Sequence, residues 1–391
     1  MKNATKEFCN RLNIPFCDEL VSFYEKGYEM FQKHGLEIVD IDRLKKLNAK
    51  YNIFRKWFDD VLLAASKIKE DKDLLLFNYI LCVIIKEEES IRILGMPDRK
   101  CVETDFAPMF AILWFAEDLA DYMKKKGLPF EVISDTLYCF DAEINDYYSL
   151  VGRSGMRIFV GWYLMFIRHK IIRVGRLNHE FMVFNQPVRV YKKGDDVKIL
   201  IDGAYVHEKG MLSGSAGQDD KENSFFAEIT GNDGKITGYP ANQYGECCGE
   251  KIILEGYEEV LRQGDEVISV HIPAAEPFTP ELCTISFEKA REIVKKCYPE
   301  KNVKAFYCIS WMLEKRLKDI IGKETNITKF ADMFAGFPTK SEGSGVYGFL
   351  FNCPPDTSKA ELPENTSMQR AVKKHLCDGG FIYEKAGIIL F

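Results

Sequence analysis

Residues 264–273 read GDEVISVHIP, and residues 278–297 read FTPELCTISFEKAREIVKKC. Gly264-Asp265 is a turn signal, and the β-branched run behind it, bounded by Pro273, predicts a strand over 266–272. Alternation puts Val267, Ser269 and His271 on one face of that strand and Ile268, Val270 and Ile272 on the other. The second face is uniformly apolar and belongs to a core. Over 281–297 the period changes, with Phe287, Ala290, Ile293 and Val294 recurring at helical spacing. A second strand follows at 304–311, KAFYCISW, with Phe306, Cys308 and Ser310 on one face and Tyr307, Ile309 and Trp311 opposite. Strands with helices between them mean an α/β or α+β domain.

Downstream, short helices are predicted near 313–321 and 326–334, a strand at 345–351, a helix at 366–378 and a closing strand at 381–390. Upstream, 176–184 and 187–201 are strand-rich, the latter broken by a turn at Gly194-Asp195. The segment 208–224 lacks apolar periodicity and is expected to be a mobile loop, and 225–230 with 235–239 forms a candidate hairpin across 231–234. Residues 1–170 carry helical stripes instead, for instance Leu20, Val21, Phe23, Tyr24, Tyr28 and Phe31. Asp73 stands before the apolar run 74–85, Thr104 or Asp105 can cap the next helix, and 156–169 is a further apolar helix. The expected division is a helical domain over 1–172 and a sheet-containing domain over 173–391, an α+β chain.

The 391 residues are 46% hydrophobic and 29% charged, enough to bury a substantial core. A net charge of −6 argues against a general nucleic-acid binder, which needs a basic face. The start of the chain, MKNATKEFCNRLNIPF, has no apolar signal core, and the apolar stretches 74–85 and 158–167 are too short to span a bilayer. A cytoplasmic protein without membrane association is the expectation. Twelve cysteines include no CxxC pair and no histidine at zinc-finger spacing, so reduced, buried thiols are expected and no metal site. Cys247-Cys248 stands apart because its Gly-rich setting is a loop.

The back half resembles the GNAT-like acyltransferase family of two-domain bacterial proteins. The resemblance is carried by Gly238-Tyr239-Pro240, GDEVISVHIP, FTPELCTISFEKA, YCISWML at 307–313, TNITKF at 325–330 and LPENTSMQRAVKKHLCDGG at 362–380. It is strong over 235–391 and looser over 105–185, through GLPFEVISDTL and VGRLNHEF. It implies a helical N-terminal acyltransferase domain followed by a mixed, largely antiparallel GNAT-like sheet with flanking helices. It also implies acyl-CoA or acetyl-CoA as co-substrate and an amine on a small molecule or peptide as acceptor. In such a fold the strands matching 266–272 and 304–311 splay apart to admit the pantetheine arm. The pyrophosphate rests at the start of the helix matching 281–297. Here the turn departs from the family's Gln/Arg-x-x-Gly-x-Gly/Ala: residues 273–281 are PAAEPFTPE, without glycine and with Glu276 and Glu281 opposing an anion.

If the two strands are neighbours, His271, Cys308 and Ser310 line one cleft. A histidine titrates near neutrality and suits the base that takes the amine proton, and Ser310 or Cys308 can donate to the leaving thiolate. The GNAT acid is often a tyrosine after the fifth strand; 312–337 holds none, leaving Tyr307 and Tyr347 as substitutes. The structural alternatives are a satisfied histidine at a strand end and a buried thiol. Asn326 reads either as a helix cap, as does Thr325, or as an amide for the pantetheine arm. Gln369, Arg370, Lys373, Lys374 and His375 read as phosphate ligands for CoA or as a solvated helix face. Arg176 and Glu180 are expected to form a buried ion pair. A rival to catalysis is a ligand-binding or interaction module built on the same fold.

Overall fold

The computed structural model describes residues 1–98, 102–156, 160–232, 234–274 and 277–391. Contacts divide the chain into two compact units. The first holds Met1–Asn178 with Ile272–Pro277 and Lys295–Tyr298, and the second holds His179–His271, Phe278–Val294 and Pro299–Phe391.

The first unit is built of helices α1 (Lys2–Leu12), α2 (Leu20–His34), α3 (Ile41–Tyr51), α4 (Phe58–Ile68), α5 (Lys72–Lys86), α6 (Val102–Trp114), α7 (Ala116–Lys125), α8 (Phe130–Val151) and α9 (Val160–Ile167). Helix α5 is apolar all round and buried from Leu74 to Ile85, as a central helix must be. Its cap is Asp71, whose carboxylate accepts from the Asp73 and Leu74 amides, while Asp73 instead pairs with Arg11. Helix α2 reaches α5 through Gly27, where a Cβ would come within 2.5 Å of Ile80. Helix α6 begins at Val102, so Asp105 lies inside it, fully buried and bonded to Arg153 at 2.5 Å rather than capping. The alternative cap, the Thr104 side chain, and the start of the helix expected at 156–169 lie outside the described residues.

The strands are β1 (Ile171–Val174), β2 (Leu177–Val183), β3 (Val188–Lys193), β4 (Asp196–Ile201), β5 (Ala204–His207), β6 (Ser224–Ala227), β7 (Thr230–Asn232), β8 (Lys235–Pro240), β9 (Ile252–Glu255), β10 (Glu258–Leu261), β11 (Glu266–His271), β12 (Ala305–Ser310), β13 (Ala335–Pro338) and β14 (Lys385–Leu390). The principal sheet has the order β1-β2-β11-β12-β14-β13. Its β11–β12 pair is parallel, and β14 pairs antiparallel with both β12 and β13. A second sheet runs β10-β3-β4-β8-β7 with β9 on β8, and β5 pairs β6.

Between these sheets Val267, Ala305, Tyr307, Phe337, Ala386 and Ile388 meet Val188, Val190, Ile199 and Ile201 in one apolar cluster. The other face of the principal sheet is covered by α10 (Pro280–Cys297), whose Phe287 ring lies 4.9 Å from that of Phe306. Helices α11 (Leu317–Ile321), α12 (Asn326–Asp332) and α13 (Ser367–Cys377) complete the unit. The chain is therefore α+β, with helices first and then mixed, largely antiparallel sheet.

Two local expectations fail. Residues 345–351 are not a strand: Tyr347–Phe351 forms a π-helical turn with Phe349 85% exposed, and the edge of the sheet is taken by Ala335–Pro338. The segment 208–224 is ordered despite its polarity, because its polar groups are paired within the fold. The Ala216 amide donates to the Ser341 carbonyl, Gln218 donates to Tyr383, and Ser215 is fully buried. In the candidate hairpin, β8 pairs with β7 across the turn while β6 turns instead to β5, and Asp233 lies outside the described residues.

Candidate active site

Strands β11 and β12 are adjacent and begin as an ordinary parallel pair, in the register Val267↔Ala305, Ile268↔Phe306 and Ser269↔Tyr307. The register ends there, although β11 continues to His271 and β12 continues to Ser310 against β14. Beyond Ser269 and Tyr307 the two strands no longer pair with each other.

His271 stands at the end of β11 with its side chain 33% exposed. Its Nε2 lies 2.8 Å from Oε2 of Glu180, on β2, the next strand of the sheet. His179, one residue earlier, turns to the opposite face: it is buried, its Nε2 is 3.1 Å from the Ser286 hydroxyl, and its ring packs beside Phe306 and Phe287. Burial, with a smaller contribution from nearby His271, pushes the His179 pKa down to about 3, so that ring stays neutral. Glu180 is thus committed to His271. Arg176 donates to the carbonyls of Pro277 and Pro273, and the ion pair expected between Arg176 and Glu180 is not what either makes.

The register also separates three residues that were expected to share a cleft. Paired positions share a face, so Ser269 and His271 lie on the side of Tyr307 and Ile309. Cys308 and Ser310 point to the opposite side. Cys308 is 1% exposed, and burial pushes its thiol up to about 12, leaving negligible thiolate near neutrality. Ser310 Oγ accepts from the Met312 amide and caps the short turn that follows β12. Tyr307 is the polar side chain that does share the face of His271. Its hydroxyl is buried without a hydrogen-bond partner among the described residues, and burial holds its pKa well above the usual range. It remains a proton donor throughout the working pH range.

The residues expected to hold a CoA nucleotide are placed as follows. Helix α10 opens at Pro280, and its first turn is already furnished with acceptors: Thr279 Oγ1 accepts from the Leu282 amide. The Glu281 carboxyl is held below its usual pKa, first by its own backbone N–H and then by the Thr279 hydroxyl. Glu276 lies outside the described residues. Thr325, not Asn326, caps α12, leaving Asn326 exposed at the first helical position. On α13, Arg370 donates to the Glu364 carbonyl, and Lys373 donates to the Leu362 carbonyl and pairs with the Glu364 carboxylate at 2.7 Å. These two cations brace the segment that precedes their own helix.

The family model described as GNAT-like C-terminal domain matches residues 171–389. Several solved structures share the fold. One is an acyltransferase in complex with decanoyl-CoA and teicoplanin, at 15% identity over 98% of each chain and a TM-score of 0.63. Another is an acyltransferase in complex with CoA and 10C-teicoplanin, at 17% identity over 89% of this chain and 86% of that one, TM-score 0.59. A third is an acyltransferase in complex with decanoyl-CoA, at 14% identity over 98% of each chain, TM-score 0.62. At such identities the likeness is one of fold. No curated protein matches the sequence.

Proposed function

The chain belongs to the family defined by the GNAT-like C-terminal domain, and we propose that it moves an acyl group from acyl-CoA to an amine on a small-molecule or peptide acceptor. The observation that carries this reading is the end of β11–β12 pairing at Ser269 and Tyr307, with a half-exposed histidine just beyond it. The neighbours of this fold captured with decanoyl-CoA and with teicoplanin support the reading. In it, the thioester enters the gap between the strands and the acceptor nitrogen attacks the carbonyl carbon. His271 takes the proton that nitrogen sheds, and the C–S bond breaks to release the CoA thiolate. Tyr307, protonated and on the same face, can donate a hydrogen bond to that sulfur, whose proton comes from the His271 imidazolium. Cys308 and Ser310 have supporting rather than chemical roles, because they point away from His271.

The test is a thiol-release assay with acyl-CoAs of graded chain length against a panel of amines, on the wild type and His271→Ala. Amine-dependent release of CoA, lowered about 10²- to 10⁴-fold in kcat by His271→Ala, is the expected result. Release at the wild-type rate in the variant removes His271 as base. A complete absence of CoA release and of thermal stabilisation by every CoA species favours the interaction-module reading instead.

A further inference from the structure

We propose that Glu180 is the positioning residue of His271: it holds the imidazole in the Nε2–H form, so that Nδ1 is the atom that receives the acceptor's proton. The inference rests on the reading of His271 as base and specifies how that base is prepared.

Three observations carry it. First, the contact is short and directional, Nε2 to Oε2 at 2.8 Å. An ionised carboxylate offers only acceptors, so Nε2 must carry the hydrogen and the lone pair of the neutral ring stands on Nδ1. Second, the pair is sheltered: the Glu180 side chain is 17% exposed, which separates it from the surface ion pairs elsewhere on the chain, such as Lys235 with Glu255 at 63% and 66%. In such surroundings a hydrogen bond to a charged group is strong and its geometry is well defined. Third, both residues reach the site from adjacent strands of one sheet, a rigid mounting, and strand parity gives Glu180 no other direction. His179 occupies the α10 face of β2 through its contact with Ser286, so Glu180 must emerge on the face of His271.

The proton balance is closed. The acceptor nitrogen forms its bond to the acyl carbon and passes one proton to Nδ1, making an imidazolium whose positive charge lies against the Glu180 carboxylate. The C–S electron pair leaves on sulfur, and the imidazolium returns the proton to the thiolate. Glu180 itself neither gains nor loses a proton.

The experiment is a double-mutant cycle with Glu180→Gln, Glu180→Asp and His271→Ala, read by steady-state kinetics, together with ¹⁵N NMR of the His271 ring in the wild type. Glu180→Gln should lower kcat by about 10²-fold or more with KM for acyl-CoA unchanged, because a tautomer is disturbed and not a binding contact. Glu180→Asp should restore part of the loss. Added to His271→Ala, Glu180→Gln should cost nothing further. Equal losses in both backgrounds, or a kcat near wild type in Glu180→Gln, overturn the proposal while leaving His271 as base. An Nδ1–H tautomer in the wild-type spectrum overturns it even if the glutamine variant fails to fold. Normal turnover by His271→Ala itself removes the base, and the positioning residue with it.

Discussion

Ser269 and Tyr307 are the last partners in the parallel register of β11 and β12, and the two strands run on past them without pairing each other. A parallel ladder that stops inside a sheet leaves backbone donors and acceptors facing a gap, and buried groups of that kind are costly unless something bonds them. The amides of residues 270–271 and 308–310 that face this gap should therefore exchange with deuterium faster than those of 267–269 and 305–307. Adding an acyl-CoA should slow them selectively. Uniform protection along both strands in the free protein would mean that the gap is closed.

Helix α10 is expected to bind an anion poorly in its present form. The Glu281 carboxyl and the Thr279 hydroxyl already lie at its first turn, where a phosphate would otherwise gain from the unpaired amides and the helix dipole. Glu281→Gln should tighten CoA binding by about two- to fivefold at low salt, an effect that shrinks as ionic strength rises. Isothermal titration at two salt concentrations measures it. Weaker binding by the variant would place the nucleotide elsewhere.

Cys308 gives a sharp negative expectation. With its thiol pushed up to about 12 by burial and its side chain turned from His271, Cys308→Ala should retain kcat within about threefold. It should cost about 1–2 kcal/mol of stability for the lost packing. A covalent thioester trapped on this residue during turnover would contradict both the parity of the strand and the proposed direct transfer.

His179 predicts a loss of stability in acid. Its folded pKa, about 3, is depressed below the ordinary 6.5, so the unfolded chain takes up a proton that the folded chain refuses. The contribution is present above about pH 6.5 and declines as pH falls towards 3. Between pH 7 and pH 4 the loss from this ring is about 3 kcal/mol. Urea unfolding at the two values should show it, and His179→Gln, which keeps a polar group near Ser286 but cannot titrate, should remove most of the difference.

The legible parts of the chain were those whose signal is local. EVISVHI announces a strand by its β-branched run, and the capped, periodic segment after it announces α10. Ala335–Pro338 was missed because four residues with a glycine and a proline carry almost no periodicity. Residues 345–351 drew the strand instead through β-forming aromatics. The order of 208–224 was invisible because it comes from bonds to Ser341 and Tyr383, more than a hundred positions away. His271 was readable from its place at a strand end. Its grouping with Cys308 and Ser310 depended on the register between two strands, which alternation within each cannot supply. Glu180 was read as a partner of Arg176 because its actual partner is 91 residues distant in sequence.

His179 and Glu180 are consecutive on β2 yet serve opposite sides, one sealed against Phe287 and Ser286, the other aimed at His271. A slip of the strand by one position would exchange them, driving a charged carboxylate among aromatic rings and setting an imidazole where the carboxylate stood. Any drift of the reactive geometry is thereby coupled to wrecking the interior, and the aim of His271 is as durable as the fold.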